Sequence, residues 1–249
     1  MLKTSIVCLI YKSTKYLEFV HKQILKYTNL ENSEFYFIAN DANQDVIDYL
    51  KNHNINHYIF TNTPENIIAH NTTNYYLDNV YRAWNFGANM AKAENIVFIN
   101  SDMAFSPNWL ENLYKYHTSD ICVTSRLFES GRYPSGLHGL TVDCGKFLRD
   151  YDENKFLNSV NYLSKDEIYD GGLYMPLLIK KEHFIKVGGY PEGNIKTESD
   201  IFNPQIAKKG QDCIPGDTVL MKKLNTLGIK HITSYSSIVY HFQNGEMFE

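Results

Sequence analysis

Residues 94–105, ENIVFINSDMAF, carry an apolar run onto Asn100, Ser101 and Asp102, just before a helix signal at Ser106-Pro107. A polar group at the end of a buried strand is costly unless it is hydrogen-bonded, charge-paired or bound to a metal. Asp102 is therefore either a helix cap or a ligand. A carboxylate beside amide and hydroxyl oxygens suits Mg²⁺ or Mn²⁺, which prefer oxygen and take substrate phosphates in their remaining positions.

Other polar residues have the same two readings. Asp41 ends a strand and precedes a helix, so it serves a turn or accepts an N–H from a flat heterocycle on the rim. Tyr11, Lys12 and Ser13 follow the first apolar run. Arg82 and Asn85 share a helix with Gly87, where a solvated face competes with phosphate pairing by Arg82. Asp217 opens GDTVLMKKL as a cap or as a carboxylate facing a cleft. His241, in VYHFQNGE, is a structural strand end or the imidazole that completes a Mn²⁺ site.

The elements that must position these residues alternate. SIVCLI, EFYFIA, NHYIF, NIVFIN and DICVTSR read as strands, separated by helical patterns such as KYLEFVHKQILKY, QDVIDYLKNH and LDNVYRAWNFGANMAKA. SPNWLENLYKYH reads as a helix with Ser106 as N-cap and Pro107 in its first turn. This rhythm predicts a mostly parallel sheet covered by helices on both faces. Ligands of such sheets sit beyond the carboxyl ends of the strands. Tyr11, Asp41 and Asn100–Ser101–Asp102 should then open on one rim. Residues 131–169 carry no readable pattern. A strand and short helix in GGLYMPLLIKKEHFIKVGGY, a long loop at 192–216, the helix DTVLMKKLNTLG and the strand SSIVYHF complete the chain.

Composition removes several classes. With 249 residues, 24 Lys plus Arg and 28 Asp plus Glu, the chain has no basic field for nucleic acid. Its four cysteines lie far apart without a CxxC pair, which points to reduced thiols. The N-terminus is too soon interrupted for a secretory signal, and no apolar run spans a membrane. The expected setting is cytoplasmic, so the Asn71-Thr72-Thr73 sequon should carry no glycan. There is no GxxxxGK[ST] loop, GxSxG elbow or HExxH pair.

Five segments together resemble the family-2 glycosyltransferases of the GT-A fold: SIVCLIYKSTKYL, FIANDANQD, AWNFGANMAKAENIVFINSDM, GGLYMPLLIKKEHFIKVGGYPEG and PGDTVLMKKLNTLGIKHITSYSSIVYHFQNGE. The resemblance implies a Rossmann-like nucleotide-diphospho-sugar transferase in one domain. Residues 1–126 would bind the nucleotide sugar, and residues 127–249 the acceptor. It places Asp102 on the metal-binding carboxylate, His241 on a further metal ligand and Asp41 on the base-reading residue. Tyr11 falls in the nucleoside loop, Asn100 near the ribose and Asp217 on the catalytic base.

The implied reaction is a metal-assisted, inverting transfer from a UDP-sugar or related donor to a glycan or glycolipid acceptor. That acceptor would be the route to any peripheral membrane association, with Asp170, His138 and Glu198 as acceptor-side candidates. Asn100 departs from the first Asp of Asp-x-Asp, and Gly216 from the Glu of Glu-Asp. A sugar- or nucleotide-binding protein without turnover, and a nucleotidyltransferase, are the alternative readings.

Overall fold

The computed structural model describes residues 2–62, 75–207, 211–243 and 245, with residues 75–78 by backbone alone. The sequon at 71–73 lies outside them. Among the described residues, ten strands form one sheet: β1 (Thr4–Ile10), β2 (Ser33–Asn40), β3 (His57–Phe60), β4 (Asn95–Ile99), β5 (Met103–Phe105), β6 (Ile121–Glu129), β7 (Leu140–Thr141), β8 (Ile168–Asp170), β9 (Leu177–Lys180) and β10 (Lys230–His241). Their order is β3-β2-β1-β4-β9-β6-β10-β5, with β7 on β6 and β8 on β10. The helices are α1 (Thr14–Tyr27), α2 (Gln44–Asn52), α3 (Tyr75–Met90), α4 (Trp109–Tyr114), α5 (Glu153–Leu163), α6 (Lys181–Lys186) and α7 (Gly216–Thr226).

The sheet is mixed but mostly parallel. β3, β2, β1 and β4 run together, as do β6 and β10. β9 lies between these two sets, antiparallel to both β4 and β6. Two reversals restore direction, so β6 and β10 end on the same rim as β1, β2 and β4. β1 is buried along its whole length, as a central parallel strand must be.

Alternate residues of the strands feed two cores. Ile6, Cys8, Phe37 and Ile99 pack under α1, α2 and α4 through Leu17, Val20, Val46 and Trp109. Val7, Ile38, Ile96 and Phe98 pack under α3, α6 and α7 through Trp84, Ala88, Phe184 and Leu220. The period of two in the strands thus meets a helical period on each side.

A third cluster forms where the sequence pattern was unreadable. Asp152 caps α5 by accepting from the Lys155 N–H at 2.9 Å. Phe156 of this helix packs with Phe128, Tyr240 and Phe242. Phe156 is the helix's one fully buried side chain, and Leu157, Val160 and Leu163 pack against the same cluster.

Several boundaries differ from the expected ones, the last strand beginning at Lys230 rather than Ser236. Met103–Phe105 is a strand antiparallel to β10, and the Ser106 N–H still bonds to the Ile238 carbonyl at 3.2 Å. The Ser106 hydroxyl is buried without a hydrogen-bond partner, so its side chain caps no helix. The helix begins at Trp109, with Asn108 at its N-cap in the left-handed region (φ 59°). β6 runs three residues beyond the expected Arg126, to Glu129. No helix among the described residues is long and apolar enough to cross a membrane. All four cysteines are free thiols.

Gly87 sets the distance between α3 and the sheet. A Cβ there would lie 2.7 Å from Val7 Cγ1 and 3.1 Å from Ile38 Cγ1. Gly87→Val should cost about 1–3 kcal/mol through overpacking. Urea denaturation would register this as a lower midpoint at unchanged slope.

Candidate functional site

The ends of β1, β2, β3, β4, β6 and β10 open on one rim. Tyr11, half-buried, follows β1, and Lys12 Nζ lies 5.4 Å from its ring centroid. Ser13 accepts from the Tyr16 N–H and caps α1. Asn43 caps α2 and also donates to the Lys12 carbonyl at 3.1 Å, which braces the first two rim loops against each other. Asn100 is half-buried, whereas Ser101 and Asp102 are each 6% exposed in the turn between β4 and β5.

Asp102 is not a helix cap. Its carbonyl accepts from the Phe242 N–H at 3.0 Å, and its Oδ2 accepts from the Gly245 N–H at 3.1 Å. His241 Nε2 lies 3.6 Å from the same Oδ2. On its other side, His241 Nδ1 meets Glu129 Oε1 at 3.3 Å. Glu129 and His241 are register partners at the ends of β6 and β10. The result is a row of carboxylate, imidazole and carboxylate along the rim.

Burial opposes a charged imidazole, but the Asp102 carboxylate and the hydrogen bond to Glu129 outweigh it and raise the His241 pKa. For Glu129, burial would raise the pKa, but bonding to His241 and Ser135 outweighs it and holds the carboxylate below its ordinary range. Two acidic groups around one imidazole give the site the sign that attracts a cation.

Among the described residues, no three His, Cys, Asp or Glu side chains are arranged to hold a metal by themselves. Asp102 and His241 supply a hard oxygen and an imidazole nitrogen. Such a pair suits a Mn²⁺ or Mg²⁺ ion that fills its other positions with phosphate and water. Glu129 on Nδ1 leaves Nε2 directed at Asp102, the usual support for a metal-binding histidine. The donor set fits.

Glu129 escaped the sequence reading, although Leu127-Phe128-Glu129-Ser130 repeats the pattern of an apolar strand ending in a carboxylate and a hydroxyl. The segment after His241 is fastened by Gln243. Its Oε1 accepts from the N–H groups of Arg132 and Tyr133 at 2.8 and 3.1 Å, and its Nε2 donates to the Tyr133 carbonyl.

Asp41 adopts a left-handed conformation (φ 46°), which Asp tolerates better than most residues. Its carboxylate accepts from Asn62 N and Nδ2, both at 3.0 Å, and from Asn79 Nδ2 at 2.7 Å. Arg82 Nε donates to Asn62 Oδ1 at 2.7 Å. Arg82 is therefore a buried member of this network and not part of a solvated helix face. Asn62 and Asn79 gave no signal in the sequence, because isolated asparagines mark turns as often as sites.

Asn85 is not solvated either. Its amide is used in both directions by Tyr190, donating to the carbonyl and accepting from the N–H, each at 2.9 Å. It fastens the turn after α6 to α3, away from the Asp102 row.

Asp217 lies in the first turn of α7, half-buried, with Oδ1 accepting from the Thr218 N–H at 2.7 Å. Burial raises its pKa more than these local hydrogen bonds lower it. Asn194 Oδ1 accepts from the Gly216 N–H at 3.1 Å, so a distant side chain caps the helix and Asp217 is left for other work. A Cβ on Gly216 would fall 2.6 Å from the ring of Tyr81, which is stacked on Tyr190 at 5.3 Å. The glycine departure thus has a packing cause. Thr218 Oγ1 meets Tyr174 OH at 3.0 Å.

Among the acceptor-side candidates, His138 Nε2 meets the Asp170 carbonyl at 3.0 Å. Glu198 is apart from them, ion-paired with Lys222 on α7.

The chain is similar in fold to two solved glycosyltransferases. One is GalNAc-T7 with UDP, GalNAc and Mn²⁺, at TM-score 0.59 and 18% identity over 97% of this chain and 44% of that one. The other is the mannosyltransferase PcManGT from Pyrobaculum calidifontis with GDP-Man and Mn²⁺, at TM-score 0.55 and 13% identity over 96% and 56%. The chain thus spans about half the length of either structure. Among curated proteins, none matches it significantly in sequence. The profile of glycosyl transferase family 2 matches residues 5–164, well over half of the chain, and the chain belongs to that family.

Proposed function

We propose that the chain transfers a sugar from a nucleotide-diphosphate sugar, with a UDP-sugar favoured, to a hydroxyl of a glycan or glycolipid acceptor. The observation that carries this reading is the Glu129–His241–Asp102 row at the strand ends. Both structural neighbours hold a nucleotide or nucleotide sugar with Mn²⁺, which supports the same reading here.

Asp102 and His241 would hold a Mn²⁺ or Mg²⁺ ion, whose charge when bound neutralises a diphosphate leaving group. Asn100 and Ser101 flank the carboxylate on the ribose side, and Tyr11 lines the nucleoside end. Residues 1–126 would serve the donor and residues 127–249 the acceptor. Asn85 acts through Tyr190, whose buried ring adjoins Asp217.

Asp217 takes the proton from the acceptor hydroxyl as that oxygen attacks the anomeric carbon. The bond to the diphosphate oxygen breaks on the opposite face, so one displacement inverts the centre. The raised pKa of Asp217 makes it a stronger base than an exposed aspartate. Holding both substrates in line supplies much of the remaining rate.

Thermal unfolding against UDP, GDP, dTDP and CMP, with and without Mn²⁺, tests the donor site. Ligand a hundredfold above its dissociation constant should add about 2.7 kcal/mol. The Mn²⁺-dependent part should vanish in Asp102→Ala, and no shift with any nucleotide would reject the reading.

Asp217→Asn should lower kcat by about 10²–10⁴ while nucleotide binding persists. Because only the ionised form accepts a proton, wild-type kcat/KM should fall with decreasing pH through a value above the ordinary 3.8. Normal turnover in Asp217→Asn would remove its role as base. Glu129→Gln should weaken Mn²⁺ binding by about 10–100-fold, read by electron paramagnetic resonance without any substrate.

A further inference from the structure

Arg82 is only 6% exposed, yet neither Nη1 nor Nη2 has a hydrogen-bond partner. A guanidinium has five N–H donors in a fixed fork, and only the Nε donor is engaged, by Asn62. Burying a charge with its donors unmet is expensive, so such a group is retained where something other than protein completes it. Asn79 and Arg82 lie one turn apart on the same face of α3. The Asp41–Asn62–Asn79 network holds that face against the ends of β2 and β3.

We infer that Arg82 reads the base of the nucleotide donor, while Asp41 organises the network that aims it. This rests on the nucleotide-sugar reading above. A carboxylate offers about four acceptor sites, and three protein N–H groups already point at Asp41. Little capacity is left for a ligand. The unspent capacity of the cluster is in the Arg82 fork.

Position separates base from phosphate. Asp41 follows β2 and Asp102 follows β4, with β1 between them. Two strand spacings amount to about 10 Å. A nucleotide whose diphosphate lies beside Asp102 therefore reaches the β2 end with its base. Arg82, assigned to phosphate by its charge alone, is at the wrong end of the rim for that role.

The chemistry of the base follows from the unmet groups. Arg82 supplies donors only, so the facing edge must present acceptors. Asn40 Oδ1 is also buried without a partner. Asn40 shares a strand face with Tyr36 and Ile38, the face that α3 covers. An unmet acceptor and unmet donors on one side of the sheet complement a carbonyl next to a ring N–H. Uracil, thymine and guanine carry that edge, whereas cytosine and adenine lack it.

Calorimetric titration of the full chain with UDP, dTDP, GDP, CDP and ADP in Mn²⁺, and with the matching nucleosides, tests this. One of the first three should bind at least about a hundredfold more tightly than CDP or ADP. Arg82→Gln should weaken that nucleotide and its nucleoside by the same factor, about tenfold or more, and erase the preference. Arg82→Lys keeps the charge without the fork, and should show the same loss of preference if the Gln variant does not fold.

A loss for the diphosphate but not for the nucleoside would make Arg82 a phosphate ligand and overturn the inference. So would unchanged binding in both Arg82 variants with binding lost in Asp41→Asn. Equal affinity of the wild type for all five nucleotides would also overturn it. Absence of binding by any nucleotide would reject the nucleotide-sugar reading itself.

Discussion

β10 pairs on one side with β6 and on the other with β5, and the rim chemistry depends on that double pairing. Glu129 meets His241 because β6 and β10 end in register, and Asp102 meets His241 because β5 turns back along β10. The three side chains come from positions 102, 129 and 241, and nothing local in sequence joins them. Backbone ladders fix their spacing before any side chain contributes. Any ligand of this rim would meet a preformed arrangement, which lowers the reorganisation that binding otherwise requires.

Around this row the molecule keeps polar groups where apolar ones would be more stable. Asp102, Arg82 and Glu129 are all buried, and the last two have atoms without partners. Asp217 keeps a carboxylate whose ionisation its surroundings resist. The rest of the fold offsets these costs with fully buried aromatics such as Trp84, Trp109, Phe98 and Tyr240, whose burial is worth about 1.5–3 kcal/mol for a large apolar side chain. Stability is concentrated in the two cores and spent at the rim.

The parallel half of the fold was legible because its strands are continuous apolar runs with turn residues between them. Tyr11, Asp41 and Asp102 could be placed on one edge from topology alone. The missing parts share a physical cause, since they are defined by partners distant in the chain. β5 has three residues and exists only because β10 lies beside it. The α4 boundary moved because β10 holds the chain in a strand as far as Phe105. Glu129 is readable as a strand end only once β6 is known to continue past Arg126. Asn85 and Arg82 sit on faces that looked solvated until Tyr190 and Asn62 were seen against them.

The ladder between β10 and β6 pairs Ser234 with Ser125 and then Ile238 with Arg126, leaving residues 235–237 without partners on that side. Side chains alternate along a strand, so slipping the last segment by one residue would exchange the faces of Tyr240 and His241. Ser237 still ties the unpaired stretch down, its Oγ lying 2.7 Å from that of Ser125 and donating to the Trp109 carbonyl. An insertion between 238 and 241 would likewise turn the imidazole away from both carboxylates.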